Sequence, residues 1–148
     1  MRHTMAKTNA VNASRTIEQL EASQWPDPLS DAPPHVHRCH ALRRVPIDKL
    51  TSGDLRALIT QEIGLMYLMP TALSKLKVDP MLESEHYPGD LLCAAMDVTA
   101  DYWLKAISEL AELKQYAEQA QSLIAASSDP AHCRQVEKAI AQFLKQSS

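Results

Sequence analysis

Between Thr51 and Leu92 the sequence sets two apolar helical segments, parted at Ile63-Gly64-Leu65 and closed by a Tyr87-Pro88-Gly89-Asp90 turn. That pattern leaves little choice of fold. In the first segment Leu55, Leu58 and Ile59, with Glu62 next along, share a helical stripe behind Thr51 and Asp54, a cap followed by an acid in the first turn. In the second, Leu65, Leu68, Met69, Ala72, Leu73 and Leu76 recur at three-and-four spacing. Gly64 is expected to end the first helix in the left-handed conformation, where a missing Cβ costs least. That second helix is expected from about Leu65 to Lys77, with Pro70 in a first turn if it opens instead at Leu68 or Met69, and Asp79-Pro80 closes it. Met66 and Met69 read as core filling. Asp90 then starts a helix through Leu91, Leu92, Ala95 and Met96, as a cap rather than a catalytic acid.

The flanks extend the helical reading. Of 148 residues 45% are apolar, 5% aromatic and only three are glycine, with valine scarce, so helix is favoured over strand and one core suffices. Residues 1–15 read as a flexible tail. Thr16 and Gln19 have capping-box form before Ile17 and Leu20. That helix is expected to stop by Trp25-Pro26-Asp27-Pro28, the start of an extended connector over 25–34, with Trp25 anchored on the core. Beyond Met96, Thr99 is expected to cap the longest helix, reaching about Ala125. Trp103, Ile107, Leu110, Ala117 and Ile124 lie on its stripe, with Leu113 and Ala120 between them. Ser127-Ser128-Asp129-Pro130 turns into a last helix bearing Val136, Ile140, Phe143 and Leu144. The expectation is an all-α, single-domain compact bundle of about six to eight helices over 16–148, ending in an antiparallel hairpin over 99–146.

Several function classes find little support. No apolar run nears the roughly 18 residues of a spanning helix, and the N-terminus lacks the apolar centre of a secretory signal. Cys39, Cys93 and Cys133 are odd in number and widely spaced, which suits reduced thiols in a cytoplasmic protein. His35-Val36-His37-Arg38-Cys39-His40 contains good zinc ligands. In an extended segment His35, His37 and Cys39 would face one way and His40 the other. No second ligand cluster follows at finger-like spacing, so a polar lead-in with one packed residue is preferred and no metal site is assigned. His132 and Cys133 need no chemistry. Nothing resembles a phosphate loop or nucleophile elbow, and an enzyme is not expected.

Two charged intervals remain. From Arg38 to Arg56 the cations Arg38, Arg43, Arg44, Lys49 and Arg56 face Asp48 and Asp54, which fits a nucleic-acid surface, a solvated face or internal ion-pair partners. From Asp79 to Asp101 the chain carries Asp79, Glu83, Glu85, Asp90, Asp97 and Asp101 with no lysine or arginine, and His86 among them. Capping accounts for two or three of these acids. Glu83, Glu85, Asp97 and Asp101 are the candidates for a face that meets a basic partner.

An ordered set of residues runs through the middle of the chain. It comprises Arg38-Cys39-His40-x-Leu42-Arg43, Pro46-x-x-x-Leu50-Thr51-x-x-Asp54-Leu55-Arg56, Ile59-x-Gln61-x-Ile63-Gly64-Leu65, Pro70-x-Ala72-Leu73, Leu76, Asp79-Pro80 and Tyr87-Pro88-Gly89-Asp90-Leu91-Leu92. In this order the set resembles the helical immunity proteins of bacterial contact-dependent growth inhibition (CDI) systems, the CdiI family. Thr60 stands where that family leads one to expect glycine, and Ser84 and His86 replace an expected glycine and aromatic. The resemblance implies a small cytoplasmic protein, without cofactor or chemistry of its own. It would bind one cognate toxin domain at the C-terminus of a surface-displayed effector and block its active site or its approach to substrate. Toxins in such systems are often nucleases, whose cationic surface a chain of net charge −3 would complement. Arg38, Gly64, Pro80, Tyr87, Pro88, Gly89 and Asp90 would then be scaffold. The alternative function is a nucleic-acid-binding helical regulator using residues 38–56; a third is a small metalloenzyme built on His35, His37, Cys39 and His40.

Overall fold

The computed structural model describes residues 13–129 and 133–147. Among them lie eight α-helices: α1 (Ile17–Glu21), α2 (Pro34–Leu42), α3 (Ser52–Thr60), α4 (Leu65–Val78), α5 (Asp90–Met96), α6 (Ala100–Leu104), α7 (Ile107–Ala125) and α8 (Arg134–Gln146). A 3₁₀ turn, Ile47–Lys49, sits between α2 and α3. Extended pairing among the described residues is limited to an isolated bridge between Glu83 and Pro88. The fold is all-α, as the composition and spacing led one to expect.

The short helix α5 is the hub. Asp90, Leu91, Leu92, Ala94, Ala95 and Met96 are all buried, so six of its seven positions face protein. A helix of this length is unstable alone in water; it persists because α3, α4, α7 and α8 all pack on it. Leu91 and Leu92 are fully buried there, each worth about 1.5–3 kcal/mol of removed apolar surface. Around α5, Leu55, Leu58 and Ile59 of α3 and Leu68, Met69, Ala72, Leu73 and Leu76 of α4 belong to one continuous core. Leu113, Ala117, Ala120 and Ile124 of α7 and Val136, Ile140 and Phe143 of α8 close it. The last two helices pack on each other as the hairpin the sequence suggests, although Pro130 and His132 of the connection lie outside the described residues. The tail expected over 1–15 falls mostly outside them too. At its edge the Ile47 N–H donates to the Arg15 carbonyl at 3.0 Å.

Both capping boxes form. Thr16 and Gln19 exchange bonds of 3.0 and 2.9 Å, and Thr51 and Asp54 exchange bonds of 3.1 and 3.0 Å. Other boundaries differ, for identifiable reasons. Gly64 is left-handed (φ 65°), but it opens α4 instead of closing α3. The residue that closes α3 is Glu62 (φ 56°), beyond which the Ile63 N–H returns to the Leu58 carbonyl. Glu62 is therefore exposed and off the buried stripe. With α4 starting at Leu65, Pro70 lies inside the helix. The carbonyl it leaves without an amide belongs to Met66, whose residue is 66% exposed and reaches water. Met69 fills the core as expected; Met66 does not.

The helix expected from Thr99 to Ala125 is two helices, broken at Lys105-Ala106. Thr99 precedes the short α6, and its hydroxyl donates to Glu62 Oε1 at 2.9 Å rather than capping. The break turns Ile107 outward to 70% exposure while Trp103 stays buried, so these two do not share a stripe.

Helix α1 ends at Glu21, ahead of the prolines, because Ala22 adopts the left-handed conformation (φ 50°). A side-chain Cβ is unfavourable there by roughly 1–2 kcal/mol. Ala22 is exposed, so Ala22→Gly is expected to raise stability by about 0.5–1 kcal/mol, measured as a higher urea midpoint at unchanged slope.

Candidate functional site

The residues marked out by charge fall into an inner network and an outer surface. Arg38 on α2 meets Glu85 through a forked pair, Nη1 to Oε2 at 3.0 Å and Nη2 to Oε1 at 2.9 Å. Its Nη2 also donates to Asp54 Oδ1 of α3 at 3.1 Å. From α3, Arg56 Nη2 donates to the same Glu85 Oε2 at 3.1 Å, and His86 Nε2 lies 3.5 Å from that oxygen. Two guanidinium groups, Arg38 acting first, hold the Glu85 carboxyl down to about 2. Burial pushes the Asp54 carboxyl up, but the Thr51 amide and Arg38 outweigh it and leave the group below its ordinary range. The network ties the loop from Asp79 to Gly89 to α2 and α3.

Asp90 secures the same loop from within. It is 2% exposed. Oδ1 accepts from the Ser84 amide (2.8 Å) and hydroxyl (2.7 Å), and Oδ2 accepts from the amides of Glu85 (3.0 Å) and His86 (2.8 Å). Burial raises its pKa, yet these donors prevail and the net shift is downward. Asp90 thus caps a loop and not its own helix, which Gly89 (φ 88°) opens. Ser84, where glycine was expected, supplies two of the four bonds.

The basic run is occupied in the same way. Arg43 is 1% exposed. It donates to Glu21 Oε1 at 2.7 Å and to the Ser23 carbonyl at 2.9 Å, with its guanidinium carbon 3.9 Å from the centre of the Trp25 ring. Trp25 is accordingly anchored on Arg43 and, edge-on, on His40 at 5.2 Å, rather than on aliphatic core. Arg44 lies 3.6 Å from Glu18 and 3.3 Å from Asp27. Four of the five cations between Arg38 and Arg56 are therefore ion-paired within the chain, and Lys49 is exposed. Of the three readings of the basic run, internal pairing prevails.

The segment 35–40 is helical, not extended, because Pro34 is preorganised at the first position of α2. His35 and His37 are exposed, His40 stands against Trp25, and Cys39 is buried with its thiol 3.9 Å from the Ala57 carbonyl. These side chains diverge. Burial pushes the Cys39 thiol up, against a smaller opposing effect of Arg38, and also raises the thiol of Cys93. Neither is poised as a thiolate. No group of three or more His, Cys, Asp or Glu residues is placed to hold a metal ion among the described residues. Nor does any helix among them have the length and apolar content to cross a membrane.

The outer surface carries the remaining acids. Glu83, Asp97 and Asp101 are exposed and have no ion-pair partner among the described residues. Asp97 lies on a groove of about 310 Å³ between α3, α5 and α8, shared with Arg56, Tyr87, Cys93 and Gln135. Glu83 bridges to Pro88 beside Tyr87, and Thr99 draws the exposed Glu62 toward the start of α6. Of the four acids picked out by charge, three stay on the open surface. Glu85, its side chain about one-third exposed, is matched internally. Sequence reading missed the outward turn of Glu62, and it allowed internal pairing for Arg43 without signalling the contact with Trp25, 18 positions upstream.

Compared with known proteins, residues 19–113 match the family model described as CDI immunity proteins, well over half of the chain. The match spans α2 to α6, both ends of the Arg38–Glu85 network and the first turns of α7. No curated protein and no solved structure matches the chain.

Proposed function

The chain belongs to the CDI immunity proteins, and we propose that it binds its toxin through the acidic surface of Glu83, Asp97 and Asp101 and occludes the toxin's active site or its approach to substrate. The family match over residues 19–113 carries the immunity role. The acidic surface supports the choice of face: with four of the five central cations paired inside, the uncompensated charge on these elements is negative. A cationic toxin, such as a nuclease, is the complementary partner. Glu85 acts here through the shape of its loop, since its charge is already matched. The protein works in the cytoplasm as one chain per toxin domain, and binding is the whole of its activity. Protection against a potent toxin calls for nanomolar affinity or better, about −12 kcal/mol.

The test is co-expression with the toxin domain encoded by the reading frame immediately upstream. Restored growth together with co-purification supports the reading; persistent toxicity, or no complex with a folded protein, removes it. Reversing Glu83, Asp97 and Asp101 together to lysine is expected to slow association about tenfold or more at low salt, with the difference shrinking as salt rises. Unchanged stopped-flow rates would move the interface elsewhere.

A further inference from the structure

Where the chain breaks between α6 and α7, two large apolar side chains are left in water: Leu104 is 73% exposed and Ile107 70%. Apolar side chains exposed singly are ordinary. These two share an open cleft of about 280 Å³ with Met96, Leu110 and Phe143, and the buried Trp103 is at its floor. The indole is fixed, its Nε1–H donating to the Val98 carbonyl at 3.2 Å. The cleft adjoins Asp97 through Met96 and Phe143, which line both it and a second groove, of about 220 Å³, that holds Asp97. Asp101 lies on α6 between the lining residues Ala100 and Leu104.

We propose that this cleft receives an apolar side chain of the toxin, set beside toxin lysines or arginines that meet Asp97 and Asp101. The proposal rests on the immunity reading above and adds the anchor to it. An apolar pocket rimmed by charge is the arrangement in which interface energy concentrates. The charge selects the occupant. From Ala94 to Leu113 the sequence carries Asp97, Asp101, Glu109 and Glu112 against Lys105 alone. Glu109 and Glu112 accept from the hydroxyls of Tyr102 and Tyr116, neutral donors that orient these carboxylates without cancelling their charge, while Asp97 and Asp101 stand exposed. A second copy of this chain is disfavoured: in a two-fold interface the same patch faces itself, setting these carboxylates against their own counterparts.

The experiment measures binding of the full chain to the purified upstream-encoded toxin domain, using wild type, Leu104→Ser, Ile107→Ser and the double variant, with sedimentation of each free protein. Both residues are exposed, so circular dichroism and the thermal midpoint should not change. Each single variant is expected to bind about tenfold more weakly or worse and the double variant about a hundredfold, chiefly through faster dissociation. Leu123→Ser, at a 52% exposed site farther along α7, should bind as wild type. Full affinity in the double variant overturns the cleft while leaving the immunity reading intact; no binding by wild type overturns both. A wild-type dimer that the double variant dissolves, with toxin affinity kept, assigns the cleft to a second copy and overturns the proposal.

Discussion

Replacing Asp90 by alanine should cost about 3–5 kcal/mol, the largest loss expected of any single polar substitution in this chain. The carboxylate is nearly fully buried and accepts four hydrogen bonds from three consecutive residues. Its removal orphans the amides of Ser84, Glu85 and His86 together, and loop relaxation or water entry recovers part of the loss. For a domain of this size the thermal midpoint should fall by roughly 10 °C or more. Asn is no rescue, because its NH₂ would face two of the donors; Asp90→Asn should lose nearly as much. Asp79→Ala is the contrast, since Asp79 accepts one exposed bond from the Met81 amide and should cost under about 1 kcal/mol. Comparable losses at both sites would mean that the four bonds to Asp90 do not hold the loop.

The same carboxylates set the response to acid. Asp54, Glu85 and Asp90 all titrate lower in the folded protein than their kinds ordinarily do. Folding therefore releases protons, the stabilisation is whole above the unfolded values near pH 4, and it is lost as pH falls through the folded ones. For Glu85 that window runs from about 4.5 to about 2. The Asp90→Ala variant should accordingly show a shallower decline in unfolding free energy between pH 5 and pH 3 than wild type, in parallel urea titrations.

Gly89→Ala is expected to cost about 2–4 kcal/mol. The position has φ 88°, where a Cβ is unfavourable by roughly 1–2 kcal/mol whatever its surroundings. Here the surroundings add to it: a Cβ would lie 3.0 Å from Val136 Cγ1 on α8 and 3.3 Å from the Met81 methyl. Met81 is flexible enough to yield, but Val136 is β-branched and 3% exposed, so α8 itself must shift. A stability within about 0.5 kcal/mol of wild type by chemical denaturation would show that α8 accommodates the methyl, and that α5 and α8 do not need glycine in order to meet.

Much of this fold was legible because its signals are local. Thr16 with Gln19, Thr51 with Asp54 and the three-and-four spacing in α3, α4 and α8 each involve residues within a turn or two, and each formed as read. The failures came where competing features lay side by side. Gly64 was the obvious left-handed residue, yet Glu62 took the closing role two residues earlier and Gly64 opened α4 instead, at the Leu65 start read from the spacing and with Pro70 inside the helix. The break at Lys105-Ala106 has neither glycine nor proline to announce it, so the α6–α7 stripe looked continuous and the outward turn of Ile107 was hidden. The site was legible only in composition. An acidic interval can be counted along a sequence, but its division into matched Glu85 and open Asp97 depends on Arg38, 47 positions away from Glu85.

The inward-facing arginines have a consequence for how such a protein diversifies. Arg38, Arg43 and Arg56 satisfy their charge within the chain, Asp90 saturates its own loop and Trp103 secures the α6–α7 break, so the framework makes no demand on the exposed Leu104 and Ile107 beside it. Those positions are open to rewriting. If the cleft is the anchor proposed above, a graft of those side chains onto another chain of this fold should carry the allegiance while leaving the recipient's fold as it was.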